Sequence, residues 1–207
     1  MTSEAPLILT VGHSNHPFER FVELLQINVV DAVADVRSAP YSRFNPAYNR
    51  ETLRADLKRH GIDYVFLGRE LGARSEDPDC YRDGRVRYEL LARTSSFHKG
   101  LERVLTGAKS RRVALMCAEK EPLACHRTIL VARALTERGA KIGHILADGS
   151  MEDHEDTMER LLVVHGLTSS DLFKSRAELI DEACLLQERR IAYATDTEQG
   201  EREWVNE

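Results

Sequence analysis

Met116-Cys-Ala-Glu-Lys-Glu-Pro-Leu-Ala-Cys-His-Arg127 gathers two thiols, an imidazole, carboxylates and a guanidinium into twelve residues. Cys117 closes an apolar run, and Cys125-His126-Arg127 opens a helical stretch. A helix N-terminus presents unpaired N–H groups and the positive end of the dipole. A thiol placed there, beside His126 and Arg127, ionises more readily than a free cysteine. The same geometry holds a phosphate or carboxylate with no covalent chemistry at all. Core packing is the competing account for Cys117, because free cysteine is among the most buried residue types. Cys184 falls on an apolar stripe and reads as structural, and Cys80 gives no signal.

Two readings follow. In the first, the chain is an enzyme in which Cys125 is a thiolate nucleophile or redox thiol, His126 its acid–base partner and Cys117 a second or resolving thiol. Glu119 and Asp35 orient these groups or move a proton. Sequence neighbours do not share a helix face, so His13 is a rival partner for Cys125. Arg127 and Arg37 hold an anionic, nucleotide-like or phosphorylated substrate, with Ser14, Ser42 and Asp148 as further substrate-facing groups. In the second reading, the pocket is a binding module for a nucleotide, a nucleic-acid end or an anionic metabolite, with Arg37, Arg127 and the arginines of the 69–87 loop supplying the charge. Each residue also has a plainer role: His13 and Ser14 as helix caps, Asp35 and Arg37 as a local ion pair, Asp148 and His154 as turn caps. Arg43, Arg50 and Arg54 read most simply as a solvated face.

Known motifs narrow the chemistry. Cys117 and Cys125 have seven residues between them, which is neither a Cys-x-x-Cys knuckle nor a His-Glu-x-x-His helix. His13, His126, His144 or Asp148 could complete a metal site in space, but the sequence does not require one, and no cofactor is expected. A Walker loop, a Gly-x-Gly-x-x-Gly fingerprint and a Gly-x-Ser-x-Gly elbow are all lacking, and neither Cys117 nor Cys125 begins a Cys-x5-Arg phosphate loop.

The elements that must position these residues alternate. Apolar runs at 7–11, 29–36, 62–66, 112–116 and 141–146 read as strands. A helical pattern in which Phe18, Phe21, Val22 and Leu25 share a face follows Pro17, a first helical residue capped by Asn15 or His16, and further helical patterns cover 50–60, 88–105, 125–138 and 150–164. This predicts an α/β fold, a mainly parallel sheet with helices on both faces in a Rossmann-like three-layer sandwich. Ligands of such sheets bind beyond the carboxyl ends of the strands. Four strands deliver polar groups there: Gly12-His-Ser14, Asp35-Val-Arg-Ser38, Cys117-Ala-Glu119, and His144 with Asp148-Gly149. The polar connection at 68–87 is a candidate lid.

Residues 1–167 are expected to form this domain, 168–194 a helical extension and 195–207 an acidic, disordered tail. Phe173, Ala177, Ile180, Cys184 and Ile191 share a face of the extension, which docks on the domain or on a second copy in a homo-oligomer. Of 207 residues 42% are hydrophobic and 30% charged, which is enough apolar material for a core. A net charge of −5 offers no global field for nucleic acid, so such a partner would need a local basic patch. No apolar stretch is long enough for a membrane span. The N-terminus lacks a basic leader, and four scattered cysteines suit no disulfide framework. The expected location is the reducing cytoplasm.

Several motifs in order resemble the DUF488 family, a domain of unknown function. They are Thr10-Val-Gly-His-Ser14, Asp35-Val-Arg-Ser-Ala-Pro-Tyr-Ser42, Gly61-Ile-Asp-Tyr-Val-Phe-Leu-Gly68, Leu115-Met-Cys-Ala-Glu119, Pro122, Cys125-His-Arg127 and His144-Ile-Leu-Ala-Asp-Gly149. The resemblance spans about residues 7–165. It implies a compact α/β fold with the Cys…Cys-His-Arg segment in a pocket, and it implies no particular reaction. Where the family usually has Leu-Gly-Gly, this chain has Leu71-Gly72-Ala73, which bears on the backbone freedom of that loop.

Overall fold

The computed structural model describes residues 5–167 and 173–195. In chain order the elements are β1 (Leu7–Gly12), α1 (Phe18–Ile27), β2 (Ala32–Asp35), α2 (Arg50–Arg59), β3 (Asp63–Phe66) and α3 (Gly68–Leu71). There follow β4 (Tyr81–Arg82), β5 (Arg85–Val86), α4 (Tyr88–Ala92), α5 (Ser95–Ala108) and β6 (Val113–Cys117). The chain continues with a π-helical stretch (Arg127–Ala132), α6 (Arg133–Thr136), β7 (Lys141–Ile145), β8 (Met151–Asp153), α7 (His154–Val164) and α8 (Arg176–Ile191).

Six strands form one sheet in the order β3-β2-β6-β1-β7-β8, parallel except for β8. Its strands are apolar almost throughout because both faces are covered. Alternation along β6 shows the layering. Ala114 and Met116 join Leu9, Val11, Phe21 and Leu53 in the core beneath α1 and α2. Val113, Leu115 and Cys117 join the larger opposite core with Leu101, Val131, Leu161 and Ala183. The expected α/β sandwich is therefore the observed one.

The register matters for function. β6 lies between β1 and β2, with Gly12 beside Cys117 and Asp35 beside Met116. The polar ends of three strands are thus immediate neighbours. β7 lies on the far side of β1. Its following turn packs on α1, where Arg20 donates to the Ala147 carbonyl and Asn28 to that of Gly149.

Several boundaries differ from expectation. The second strand begins at Ala32, because Val29 sits at φ 53° in a tight turn and is 63% exposed. Pro17 is itself the cap of α1, and no side chain caps that helix. Residues 88–105 hold two helices, with Thr94 accepting from the Phe97 N–H at the break. The stretch after Cys125 is π-helical before it becomes α6, and β8 precedes α7. The connection at 68–87 contains α3, the turn Pro78–Cys80 and the β4–β5 hairpin, and it buries Leu71, Cys80 and Val86.

α8 starts with a capping box between Ser175 and Glu178 and turns Leu179, Ala183 and Cys184 into the larger core. It spends its buried stripe on its own chain. Phe173 does not join that stripe and is 95% exposed. Residues 168–172 of the expected extension and 196–207 of the expected tail lie outside the described residues. Among the described residues no helix is long and apolar enough to cross a membrane.

Candidate functional site

β1 continues past its end along the residues that follow β6, with the His13 and Ser14 N–H groups donating to the carbonyls of Cys117 and Ala118 at 2.9 Å each. Gly12 makes this crossing possible, since a Cβ there would lie 1.9 Å from the Glu119 carbonyl oxygen. That carbonyl accepts from Arg127 Nη1 at 2.6 Å, and the Lys120 carbonyl from Nη2 at 3.2 Å. The loop from Ala118 to Lys120 is thus clamped, and Cys125 folds back against it.

The thiols, the imidazole and the carboxylate converge. Cys117 Sγ and Cys125 Sγ lie 3.7 and 3.8 Å from His126 Nδ1. His126 Nε2 lies 3.1 Å from the Val36 carbonyl, an acceptor only, so Nε2 carries a proton and donates it there. Cys125 Sγ is 3.0 Å from Glu119 Oε2. Neighbouring side chains diverge on a regular helix, but Cys125 is extended (φ −137°, ψ 140°) and precedes the helix. That break lets Cys125 and His126 meet. His126, rather than His13, is the partner of the thiols.

Burial and contacts separate the titrations of these groups. Burial pushes the Cys125 thiol up, but hydrogen bonding with Cys117, the Arg127 charge and His126 outweigh it and hold Cys125 well below the ordinary thiol range. Its hydrogen bond to Cys125, then burial, raises Cys117 well above that range. Burial, then the charge of Cys125, raises the Glu119 carboxyl. The bond between Cys125 and Glu119 therefore joins a thiol that ionises more easily than usual to a carboxyl that ionises less easily. Burial pushes His126 down, but its bond to Cys125 and the charges of Cys125 and Glu119 prevail and raise it. Groups pushed apart in this way are a signature of acid–base roles.

Arg37 forms the second half of the site. Its Nε and Nη2 bond to Asp35 Oδ1 and Oδ2 at 2.9 and 2.7 Å, Nη2 also reaches the Tyr48 carbonyl, and Nη1 meets His13 Nε2 at 3.2 Å. Asp35, fully buried, also accepts from Tyr64 Oη. His13 stacks on Tyr48 and donates from Nδ1 to the Ser14 carbonyl. Burial and the nearby Arg37 charge lower its pKa to about 4, so its ring is neutral and orients Arg37.

A cavity of about 380 Å³ opens onto this cluster. Arg37, Cys117, Glu119, Cys125 and His126 line it, as expected from sequence. The other expected substrate-facing groups do not. Arg127 is 0% exposed with its guanidinium turned onto backbone carbonyls, so it positions the loop instead of meeting a ligand. Ser14 and Ser42 brace the loops, with Ser14 Oγ on Asn15 and Ser42 Oγ accepting from Phe44 and Asn45 N–H groups. Asp148 is exposed and bonds Ser150 in the β7–β8 connection. His144 is buried between Thr10 and His154. Asp35 and His13 act on the cavity only through Arg37.

The cavity also takes in Ser38, from the polar end of the second strand, and Arg74, from the arginine-rich 69–87 loop, whereas sequence reasoning missed Tyr88 and the wall formed by residues 191–194. The last segment pairs with the β4–β5 hairpin, the Val86 N–H donating to the Tyr193 carbonyl and the Thr195 N–H to that of Gly84. Arg74 covers the Tyr193 ring at 4.4 Å. No spacing signal ties residue 193 to residue 74; Arg74 alone stood in a segment already suspected of covering the pocket. Ala73 lines the cavity without a left-handed backbone, so the departure at Leu71-Gly72-Ala73 costs nothing there.

The DUF488 family model, a domain of unknown function, matches residues 17–134, which is more than half of the 207 residues. The match includes Asp35, Arg37, Cys117, Glu119 and the Cys125-His-Arg127 run, and leaves out β1 and the α8 wall. No curated protein and no solved structure matches the chain. With its fold and its motifs in order along the matched segment, the chain belongs to the DUF488 family.

Proposed function

We propose that the chain is a thiol-dependent enzyme acting on an anionic, nucleotide-like or phosphorylated small molecule in this cavity. One observation carries the reading: Cys125, whose Sγ is 3.0 Å from Glu119 and 3.8 Å from His126, lines the same cavity as Arg37 and Arg74. Anion capture alone needs no thiol pair. Arg37 is fixed by Asp35, His13 and the Tyr48 carbonyl, so it meets a substrate oxyanion with little reorganisation.

In the reaction the Cys125 thiolate forms a bond to an electrophilic carbon or phosphorus of the substrate as the bond to the leaving group breaks. The departing electron pair takes the proton held on Glu119. Water then attacks the thio-linked intermediate, its proton returns to Glu119, and Cys125 leaves as thiolate. Cys117 and His126 hold that thiolate between turnovers. The compartment in which this happens, expected to be the cytoplasm, belongs to the same proposal.

The test uses reduced, chelator-treated full chain with acetyl phosphate and a panel of nucleoside phosphates, read by intact mass and by product release. Cys125→Ser should abolish both a thio-linked adduct and turnover with little change in Tm, and Cys80→Ser should leave both intact. Undiminished turnover in Cys125→Ser removes the nucleophile. Binding of nucleotides without adduct or turnover, weakened by Arg74→Ala and indifferent to Cys125→Ser, establishes the non-catalytic module instead.

A further inference from the structure

The cluster has a second chemical capacity. Cys117 Sγ, Cys125 Sγ and His126 Nδ1 lie within 4.8 Å of one another, and all three residues are buried. The Nδ1–sulfur separations are 3.7 and 3.8 Å. A tetrahedral zinc ion, with Zn–S about 2.3 Å and Zn–N about 2.0 Å, places its sulfur and nitrogen ligands roughly 3.5 Å apart. Both nitrogen–sulfur separations are therefore close to those a tetrahedral ion would set.

An independent feature points the same way. With its Nε2 proton bonded to the Val36 carbonyl at 3.1 Å, the imidazole has an Nδ1 lone pair to offer the sulfurs when neutral. A histidine that ligates a metal typically gives its other ring N–H to a backbone carbonyl or carboxylate, which fixes ring and tautomer. The backbone is equally constrained: the Arg127 clamp on Glu119 and Lys120 and the Gly12 crossing hold the two sulfurs' parent segments together.

We propose that Cys117, Cys125 and His126 bind a soft divalent cation of the zinc class, with the fourth position filled from the cavity by water or an anionic oxygen of the ligand. Two thiolates and an imidazole select such an ion over magnesium or calcium. Three protein ligands and one open position are the pattern of reactive zinc sites. The inference rests on reading this cavity as the active site, and it adds regulation there. In the loaded chain both sulfurs are ligated and Cys125 does not attack, so the cation decides whether the free-thiol reaction runs.

Co2+ titrated into the reduced, chelator-treated full chain reports the site directly. The expected result is one ion per chain, with sulfur-to-cobalt charge-transfer absorption and the intense visible bands of tetrahedral cobalt, both displaced by Zn2+. Cys117→Ser and Cys125→Ser should each weaken binding at least tenfold, while Cys80→Ser and Cys184→Ser leave it unchanged. Because a cluster variant could misfold, the wild-type chain supplies a second readout. Zn2+ should slow iodoacetamide labelling of Cys117 and Cys125 at least tenfold, mapped by mass spectrometry, without protecting Cys80. Absence of thiolate–cobalt absorption, or Zn2+ protection no greater at the two cluster cysteines than at Cys80, overturns the proposal. Neither result bears on metal-free turnover, so failure here and failure of the thiol reaction remain separate findings.

Discussion

Asp35→Asn tests whether Arg37 is a braced cationic wall of the cavity. Asp35 is fully buried and accepts four hydrogen bonds: two from the Arg37 side chain, one from the Arg37 backbone N–H at 3.1 Å and one from Tyr64 Oη at 2.7 Å. Asparagine keeps the shape but removes the charge and turns an N–H2 donor towards groups that donate. Arg37, only 7% exposed, is then left with the Tyr48 carbonyl and His13 as partners. Breaking a buried ion pair from one side costs about 3–5 kcal/mol. At roughly 2–4 °C per kcal/mol for a chain of this size, Tm should fall by about 6–20 °C. Urea unfolding followed by circular dichroism measures the free energy. The double variant Asp35→Asn/Arg37→Met should be less destabilised than Asp35→Asn alone by at least about 1 kcal/mol, because the orphaned charge has gone. Strict additivity of the two single changes would refute the brace.

Other perturbations probe the supports. Gly12→Ala should destabilise by about 1–3 kcal/mol or more in the same unfolding assay, since its Cβ meets the Glu119 carbonyl at 1.9 Å; a neutral result contradicts the close crossing. His13 and His154 have folded pKa values lowered by burial to about 4, and His144 to about 2. The unfolded chain therefore binds more protons below about pH 6.5, and stability falls as pH drops from there through 4, by about 3 kcal/mol for each of the first two. His154→Asn should flatten that acid limb in urea titrations at stepped pH, and an unchanged slope would contradict its burial as a neutral base. Ending the chain after Arg190 removes the wall at 191–194, so iodoacetamide should reach Cys125 at least tenfold faster; an unchanged rate means that segment does not cover the cavity.

The sheet was legible because each strand is an apolar run ending at a polar cluster. Adjacency was not: that β6 lies between β1 and β2, with β7 beyond, is a property of strand order that no local pattern encodes. Local patterns therefore bring Asp148 to the same strand edge as Cys117, Glu119, Cys125 and His126, whereas β7 lies beyond β1 and leaves Asp148 away from the cavity. Arg127 illustrates a second blind spot. A charged residue beside a nucleophile looks like a ligand for substrate, yet both its Nη1 and Nη2 bond the carbonyls that its own loop exposes. The pocket wall at 191–194 depends on pairing across more than a hundred residues with the β4–β5 hairpin, a contact that composition does not announce.

The most direct test of the central claim is intact-mass analysis of the reduced, chelated chain mixed with acetyl phosphate and with the nucleoside phosphates. A substrate-derived mass increment that maps to Cys125, decays with turnover and is lost in Cys125→Ser is the predicted result. Turnover that persists in Cys125→Ser, or an increment that maps to Cys80 or Cys184 instead, would contradict the account.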